Sequence, residues 1–240
     1  MLELRNISWS TPDGVPILRD LSLTIENTGL SVITGPNGGG KTTLAKVIAG
    51  LITPDKGTIM LDGEDITGLD VTQRAKRGIS YAFQQPVRFK GLTVKDLLSL
   101  GSGKNLSDGE VCALLAKVGL CGRDYKDREV NASLSGGEIK RIEIASVLAR
   151  PSRLVIFDEP EAGIDLWSFT GLIAAFEEMK REKKASQIII SHQERILDVA
   201  DRIIVVENGS VAKDGSRDEI LPSLVSIPSC PMRMREEERL

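Results

Sequence analysis

The sequence predicts an α/β fold on a mostly parallel sheet, with an antiparallel β portion near the N-terminus and an inserted helical segment. Three observations carry that prediction. The first third alternates short apolar runs with turn signals, the pattern of β-strands. From Thr93 to about Leu120 the apolar residues move to helical spacing. Beyond that stretch, strand-like and helix-like runs alternate, which points to parallel strands joined by helices.

The elements follow in order. "LELRNISW", "LSLTIE", "LSVIT" and "GTIMLDG" read as strands, separated by the turn-forming "TPDG", "ENTG" and "TPDKG". "TVKDLLSL" and "DGEVCALLAKVGL" read as helices, and the charged loop "CGRDYKDREVNAS" leads to a third helix, "GGEIKRIEIASVLAR". The strand "RLVIFDEP", the helix around "LWSFTGLIAAFEEMKREKK", the strand "SQIIISH", the helical "QERILDVA" and the strand-rich "RIIVVENGSVAKDG" complete the pattern. The expected division is a single domain over residues 1–225, with its core in 1–87 and 139–225 and a helical subdomain over 88–138. Residues 226–240, ending "CPMRMREEERL", read as a flexible tail with no core to join.

Composition narrows the function classes. At 240 residues with 41% hydrophobic and 27% charged residues, the chain suits a soluble globular protein. A formal net charge of -3 argues against a general nucleic-acid binder. No apolar stretch approaches the roughly 18 to 20 residues of a membrane helix, and "MLELRNISW" lacks the layout of a signal peptide. Cys112, Cys121 and Cys230 show no C-x-x-C pairing, as expected in a reducing compartment. The expected location is cytoplasmic.

The chemistry begins with "TGPNGGGKTT". Gly35, Gly40, Lys41 and Thr42 fit the G-x-x-x-x-G-K-[ST] phosphate loop, with a strand before it and a helix after it. Glycines let the loop of Gly35, Pro36, Asn37, Gly38, Gly39 and Gly40 curl so that several of its backbone N–H groups converge on phosphate oxygens. Lys41 can reach the β- and γ-phosphates, the Thr42 hydroxyl can ligate Mg²⁺, and Thr43 continues the helix N-terminus. The expected core is therefore that of a P-loop NTPase. "LVIFDEP" delivers Asp158 and Glu159 to the carboxyl end of a buried strand, where α/β proteins bind ligands. Asp158 is expected in the Mg²⁺ shell and Glu159 beside the attacking water. "LSGGE" is a capping box, with Ser135 capping a helix and Glu138 reaching back. A cap explains neither Gly136 nor Gly137; the functional reading keeps the same geometry, with the helix N-terminus and Ser135 aimed at a γ-phosphate.

Taken in order, "GPNGGGKTT", "AFQQP", "LSGGE", "LVIFDEP", "AGID" and "IIISH" resemble the ATP-binding-cassette (ABC) ATPase family over nearly the whole chain. The resemblance implies a head-to-tail dimer, with each ATP between one chain's P-loop and the other chain's Ser135, Gly136 and Gly137. It implies that Gln84 senses Mg²⁺ and the γ-phosphate, that Asp165 ends a loop lining the dimer interface, and that His192 contacts the γ-phosphate. One departure is the adenine contact: Thr11 stands where the family often has an aromatic residue, and Trp9 either substitutes or belongs to the core. A GTPase would need an N-K-x-D segment, which is missing, and DNA-repair relatives carry coiled coils for which no heptads are present.

Two subgroups remain open. "AFQQPV", "SGGEIKR" and "SHQERILD" resemble the SufC-type ATPases of iron–sulfur cluster assembly, which implies a soluble iron–sulfur scaffold as partner. Lys140 is the most informative of these residues: it either pairs with an acid of the active site or is a solvated helix lysine. "GLTVKDLL" and "DEP" resemble importer subunits instead, which implies a membrane permease and a place at the inner membrane face. In the first case the surface near Arg88, Phe89 and Lys90 is expected to dock the scaffold.

Overall fold

The computed structural model describes residues 1–225 apart from Thr28, Pro86, Ala132 and Lys184. The expected tail at 226–240, with Cys230, lies outside the described residues. The chain opens with β1 (Leu2–Ser10), β2 (Pro16–Ile25) and β3 (Leu30–Thr34), then α1 (Lys41–Ala49). β4 (Lys56–Leu61), β5 (Glu64–Asp65), α2 (Val71–Lys76) and β6 (Ile79–Ala82) follow. Next come α3 (Val94–Ser102), α4 (Asp108–Lys117), α5 (Gly122–Tyr125) and α6 (Gly136–Ala149). β7 (Leu154–Asp158), α7 (Leu166–Glu182), β8 (Ser186–Ile190), α8 (Glu194–Asp198), β9 (Arg202–Glu207), β10 (Ser210–Ser216) and α9 (Arg217–Val225) complete the order.

Two sheets form, as the strand chemistry demands. β2 buries alternate residues over most of its length and keeps the others in solvent, the habit of an antiparallel strand covered on one face. It belongs to the antiparallel sheet β2-β1-β4-β5. β3, β7 and β8 are buried at every position, so they take the interior of the second sheet, of order β10-β9-β3-β8-β7-β6. That sheet is parallel except for β10, which pairs antiparallel with β9.

The period of two along these strands divides the core. Ile33, Ile156, Ile188, Ile190 and Ile204 face α1 and the antiparallel sheet in one cluster. Val32, Val155, Phe157, Ile189 and Ile203 face the other way, in a cluster shared with α3, α4, α6 and α7. Each fully buried branched side chain contributes about 1.5 to 3 kcal/mol relative to exposure.

Several elements were not legible as such in the sequence. α2 has no apolar stripe. It starts at a capping box of Asp70 and Gln73 and is held by Arg74, only 1% exposed. That guanidinium donates to the carbonyls of Val47, Ile48, Thr67 and Leu69, which supply the hydrogen bonds its burial requires. β6 was missed because four residues, "ISYA", are too few to show a period. α5 is one turn inside the stretch read as a charged loop.

Candidate functional site

In a parallel sheet every strand points its carboxyl end to one edge, so the segments after β3, β6, β7 and β8 meet there. They carry Gly35–Thr43, Gln84, Asp158 with Glu159, and His192. These positions span more than 150 residues of chain, and the sheet order alone brings them together.

The phosphate loop is shaped by contact as well as by backbone freedom. At Gly35, φ is 131°, and an added Cβ would lie 2.2 Å from the Val206 carbonyl oxygen on β9. At Gly39 the same oxygen would be 2.7 Å away. Neither position admits a side chain. α1 begins at Gly40 with no side-chain cap and no acidic residue in its first turn, so its free N–H groups and dipole are available to an anion. Lys41 is 6% exposed, and its ammonium donates to the carbonyls of Gly35 at 2.8 Å and Pro36 at 2.9 Å. Burial lowers its pKa, and the charges of Glu159 and Asp158 act against that shift.

Asp158 is fully buried at the end of β7. It accepts hydrogen bonds from the Thr42 hydroxyl at 3.1 Å and the Tyr81 hydroxyl at 2.7 Å. Burial raises its pKa, and the two hydroxyls oppose that rise. The Tyr81 phenol is pushed up by burial and by Asp158. Tyr81 was not anticipated, since nothing local in "ISYAF" tells a residue facing β7 from a core aromatic. Thr42 and Asp158 together form an oxygen-donor pair of the kind a hard divalent cation takes, with phosphate and water completing the shell.

Glu159 has φ of 46°, in the left-handed region that non-glycine residues seldom occupy. Its carboxylate accepts from the Gln84 amide at 2.6 Å. His192 lies in the short loop between β8 and α8, with Nδ1 3.5 Å from the Thr34 hydroxyl. Partial desolvation, with Lys41 nearby, holds the imidazole below its ordinary pKa, while Glu159 acts against that. The neighbouring Ser191 donates to Glu161 at 2.5 Å and accepts from the Gln193 N–H at 3.0 Å, which fixes the loop carrying the imidazole.

Ser135, Gly136 and Gly137 open α6, and their hydrogen-bond partners are not P-loop residues. The expected capping box forms: Ser135 Oγ accepts from Glu138 N at 3.2 Å, and Glu138 accepts from Ser135 N at 2.7 Å. Gly137 is needed because a Cβ there would meet the Gly163 carbonyl oxygen at 2.7 Å, whereas Gly136 faces open space. Asp165 caps α7, accepting from the N–H groups of Trp167 and Ser168 and from the Ser168 hydroxyl. Trp9 is half-buried against the cluster shared by α1 and the antiparallel sheet.

Lys140 corrects both sequence expectations. It is neither solvated nor paired with an acid of the active site, because position 140 lies on the inner face of α6. Its side chain is 0% exposed and its ammonium donates to the Phe83 carbonyl and, at 3.4 Å, to that of Gln84. Its acidic neighbour is Glu143, one turn along the same helix, at 3.6 Å. Glu143 was missed for the same reason.

A family model described as ABC transporter matches residues 18–162. An uncharacterised ABC transporter ATP-binding protein of Methanocaldococcus jannaschii is 39% identical over 212 residues, covering 85% of this chain and 84% of that protein. The energy-coupling factor transporter ATP-binding protein EcfA of Methanothermobacter thermautotrophicus is 32% identical, with 98% of this chain and 76% of that protein covered. Among solved structures, CbiO1 of Clostridium perfringens, described as part of an ABC transporter complex, superposes with a TM-score of 0.76 at 26% identity, covering 93% of this chain and 91% of that one. An ATP-binding cassette dimer bound to ADP and Pi shares the fold, with a TM-score of 0.80 at 22% identity over 90% of this chain and 99% of that one.

Proposed function

We propose a role from one premise: the chain belongs to the ABC transporter family. It is an ATPase that hydrolyses ATP to ADP and phosphate. The reading best supported is the ATP-binding subunit of a membrane transporter, at the cytoplasmic membrane face, which works as a head-to-tail dimer on a permease. Relatives at 32% to 39% identity are described as transporter ATP-binding proteins. Among the described residues no helix is long and apolar enough to cross a membrane, so a spanning partner would supply the path.

The observation that carries the reading is the meeting of Lys41, Asp158, Glu159, Gln84 and His192 at one sheet edge, with Ser135 and Gly136 open elsewhere on the same chain. In this account residues 35–43 cradle the ATP phosphates, and Lys41 faces the β- and γ-phosphates. Thr42, Asp158 and Gln84 would hold Mg²⁺, which would supply Lewis-acid charge to the phosphate oxygens. Glu159 polarises the attacking water, His192 orients the γ-phosphate, and the partner's copies of Ser135, Gly136, Gly137 and Asp165 close the site. Half-exposed Phe83, Val87 and Phe89, around a cavity of about 130 Å³, form the surface we assign to the permease.

Assembly is testable. Ser135→Arg is expected to abolish ATP-dependent dimerisation on a Glu159→Gln background while the P-loop still binds nucleotide. Sedimentation with and without ATP reads the first effect, and a nucleotide-affinity titration reads the second. Persistence of the dimer would leave Ser135 as a helix cap alone.

A second reading, a SufC-type ATPase acting on a soluble iron–sulfur scaffold, rests on the likeness of the "AFQQPV", "SGGEIKR" and "SHQERILD" segments alone. Recovery of the native chain separates the two. The transporter reading expects it in the membrane fraction with a permease, and a detergent-free complex with a scaffold that stimulates hydrolysis would replace that reading.

A further inference from the structure

Burying a lysine is costly unless every donor is used and the charge is answered. Lys140 is the fully buried ammonium of α6, and the hydrogen bonds it makes are spent on one short segment, Phe83–Gln84, where the chain leaves β6. Glu143 takes the other side of the same residue: its Oε1 accepts from the Phe83 N–H at 2.7 Å. Both backbone polar groups of Phe83 are thus held by α6. The next residue, Gln84, holds the Glu159 carboxylate at 2.6 Å. Ser135, the cap residue, sits at the N-terminal end of α6, five residues before Lys140.

We propose that Lys140 and Glu143 are positioning residues that transmit the placement of α6 to Gln84, and so decide whether the Gln84 amide occupies the carboxylate of Glu159. The inference rests on the ATPase reading above and deepens it. A helix of 14 residues moves as a rigid rod over this distance. Any displacement of Ser135, the group assigned to the partner's nucleotide, therefore displaces Lys140 and Glu143 as well. Their two-point hold on Phe83 converts that displacement into a movement of the peptide before Gln84. With Gln84 on Glu159, the carboxylate oxygen that would receive a water proton is taken. Drawing Gln84 away frees it. Nucleotide held by one chain's P-loop and the other chain's Ser135 would in this way release Glu159 in the chain that owns that Ser135, linking the two sites of the dimer.

The arrangement is poised to move. Glu143 Oε2 is buried with no hydrogen bond, and so is Glu161 Oε2. Two buried carboxylate oxygens without hydrogen bonds leave unused acceptors beside Lys140, one of them the Glu143 oxygen 3.6 Å from its ammonium, so a shift of the ammonium can form a bond as it loosens another. Glu161 belongs to the segment after Glu159 and is bonded to Ser191 beside His192, so an answering acid already exists on that side.

A double-mutant cycle tests the route through Gln84. The variant Lys140→Met/Glu143→Gln removes the ion pair but keeps an acceptor for the Phe83 N–H. It is expected to lower kcat by about tenfold, as a mispositioned active-site group does, with ATP affinity within about twofold of the parent. In a Gln84→Ala background the same pair of substitutions is expected to change kcat by less than about twofold, because the group it positions is gone. An equal loss in both backgrounds means a general structural role and overturns the proposal, as does no loss in either. If thermal melting shows the pair variant unfolded, Glu143→Gln alone goes through the same cycle with the same criterion. Failure of the underlying reading looks different: there, Glu159→Gln itself would leave hydrolysis unchanged.

Discussion

Glu159→Gln is expected to cut ATP turnover by about a hundredfold or more, the range lost with a general base, while nucleotide binding persists. That corresponds to at least about 2.7 kcal/mol of barrier. The substitution isolates the chemistry because it preserves the surroundings. A glutamine at this position keeps a carbonyl oxygen that can accept from the Gln84 amide, now at 2.6 Å from the carboxylate. It is nearly isosteric, so the left-handed φ of 46° faces no new steric demand. What disappears is the negative oxygen able to take a proton from water. Removing that charge beside the phosphates also removes a repulsion, so ATP affinity should hold or improve, and ATP-bound dimer should accumulate. Single-turnover hydrolysis and a nucleotide titration on the same preparation check both halves. Turnover near the parent value would take Glu159 out of the role and shift attention to His192.

Legibility in the sequence followed the distance over which each feature is determined. The phosphate loop was readable because its glycines, Lys41 and Thr42 lie within eight consecutive residues flanked by a strand and a helix. The Ser135–Glu138 capping box was readable for the same reason. The need for Gly137 was not, because it comes from the Gly163 carbonyl in a different turn. Tyr81 reaches Asp158 across 77 residues, and Lys140 reaches Phe83 across 57, so the sheet and the helix face had to be built before either contact could be seen. Lys140 shows the failure most clearly. Residue type favours a solvated lysine, and only the carbonyls of the loop after β6 make its burial tolerable. α2 failed for a related reason, since its anchor is a buried arginine and not an apolar stripe.

Lys41→Ala is expected to act one step earlier than Glu159→Gln, on nucleotide binding itself. The ammonium now bonds the Gly35 and Pro36 carbonyls, at 2.8 and 2.9 Å, inside the glycine loop that leads into α1. It therefore has two tasks: it fastens the loop's curl, and it brings a positive charge to the phosphates. Burial lowers its pKa, yet Glu159 and Asp158 act in the opposite direction, and phosphate would add to them, so the charged form is favoured when ATP binds. Losing one charge-assisted contact costs about 1.5 to 3 kcal/mol, equivalent to roughly 10- to 150-fold in affinity. Hydrolysis at subsaturating ATP should fall at least as far. Lys41→Met separates the tasks of volume and charge, because it fills most of the same 6%-exposed site without a donor. If charge and hydrogen bonding dominate, both variants lose affinity alike. If filling the loop dominates, methionine restores binding. The measurement is a nucleotide titration on protein whose melting temperature matches the parent. Affinity within about twofold in the alanine variant would remove Lys41 from the binding role, and with it the reading of the glycine loop as a phosphate cradle.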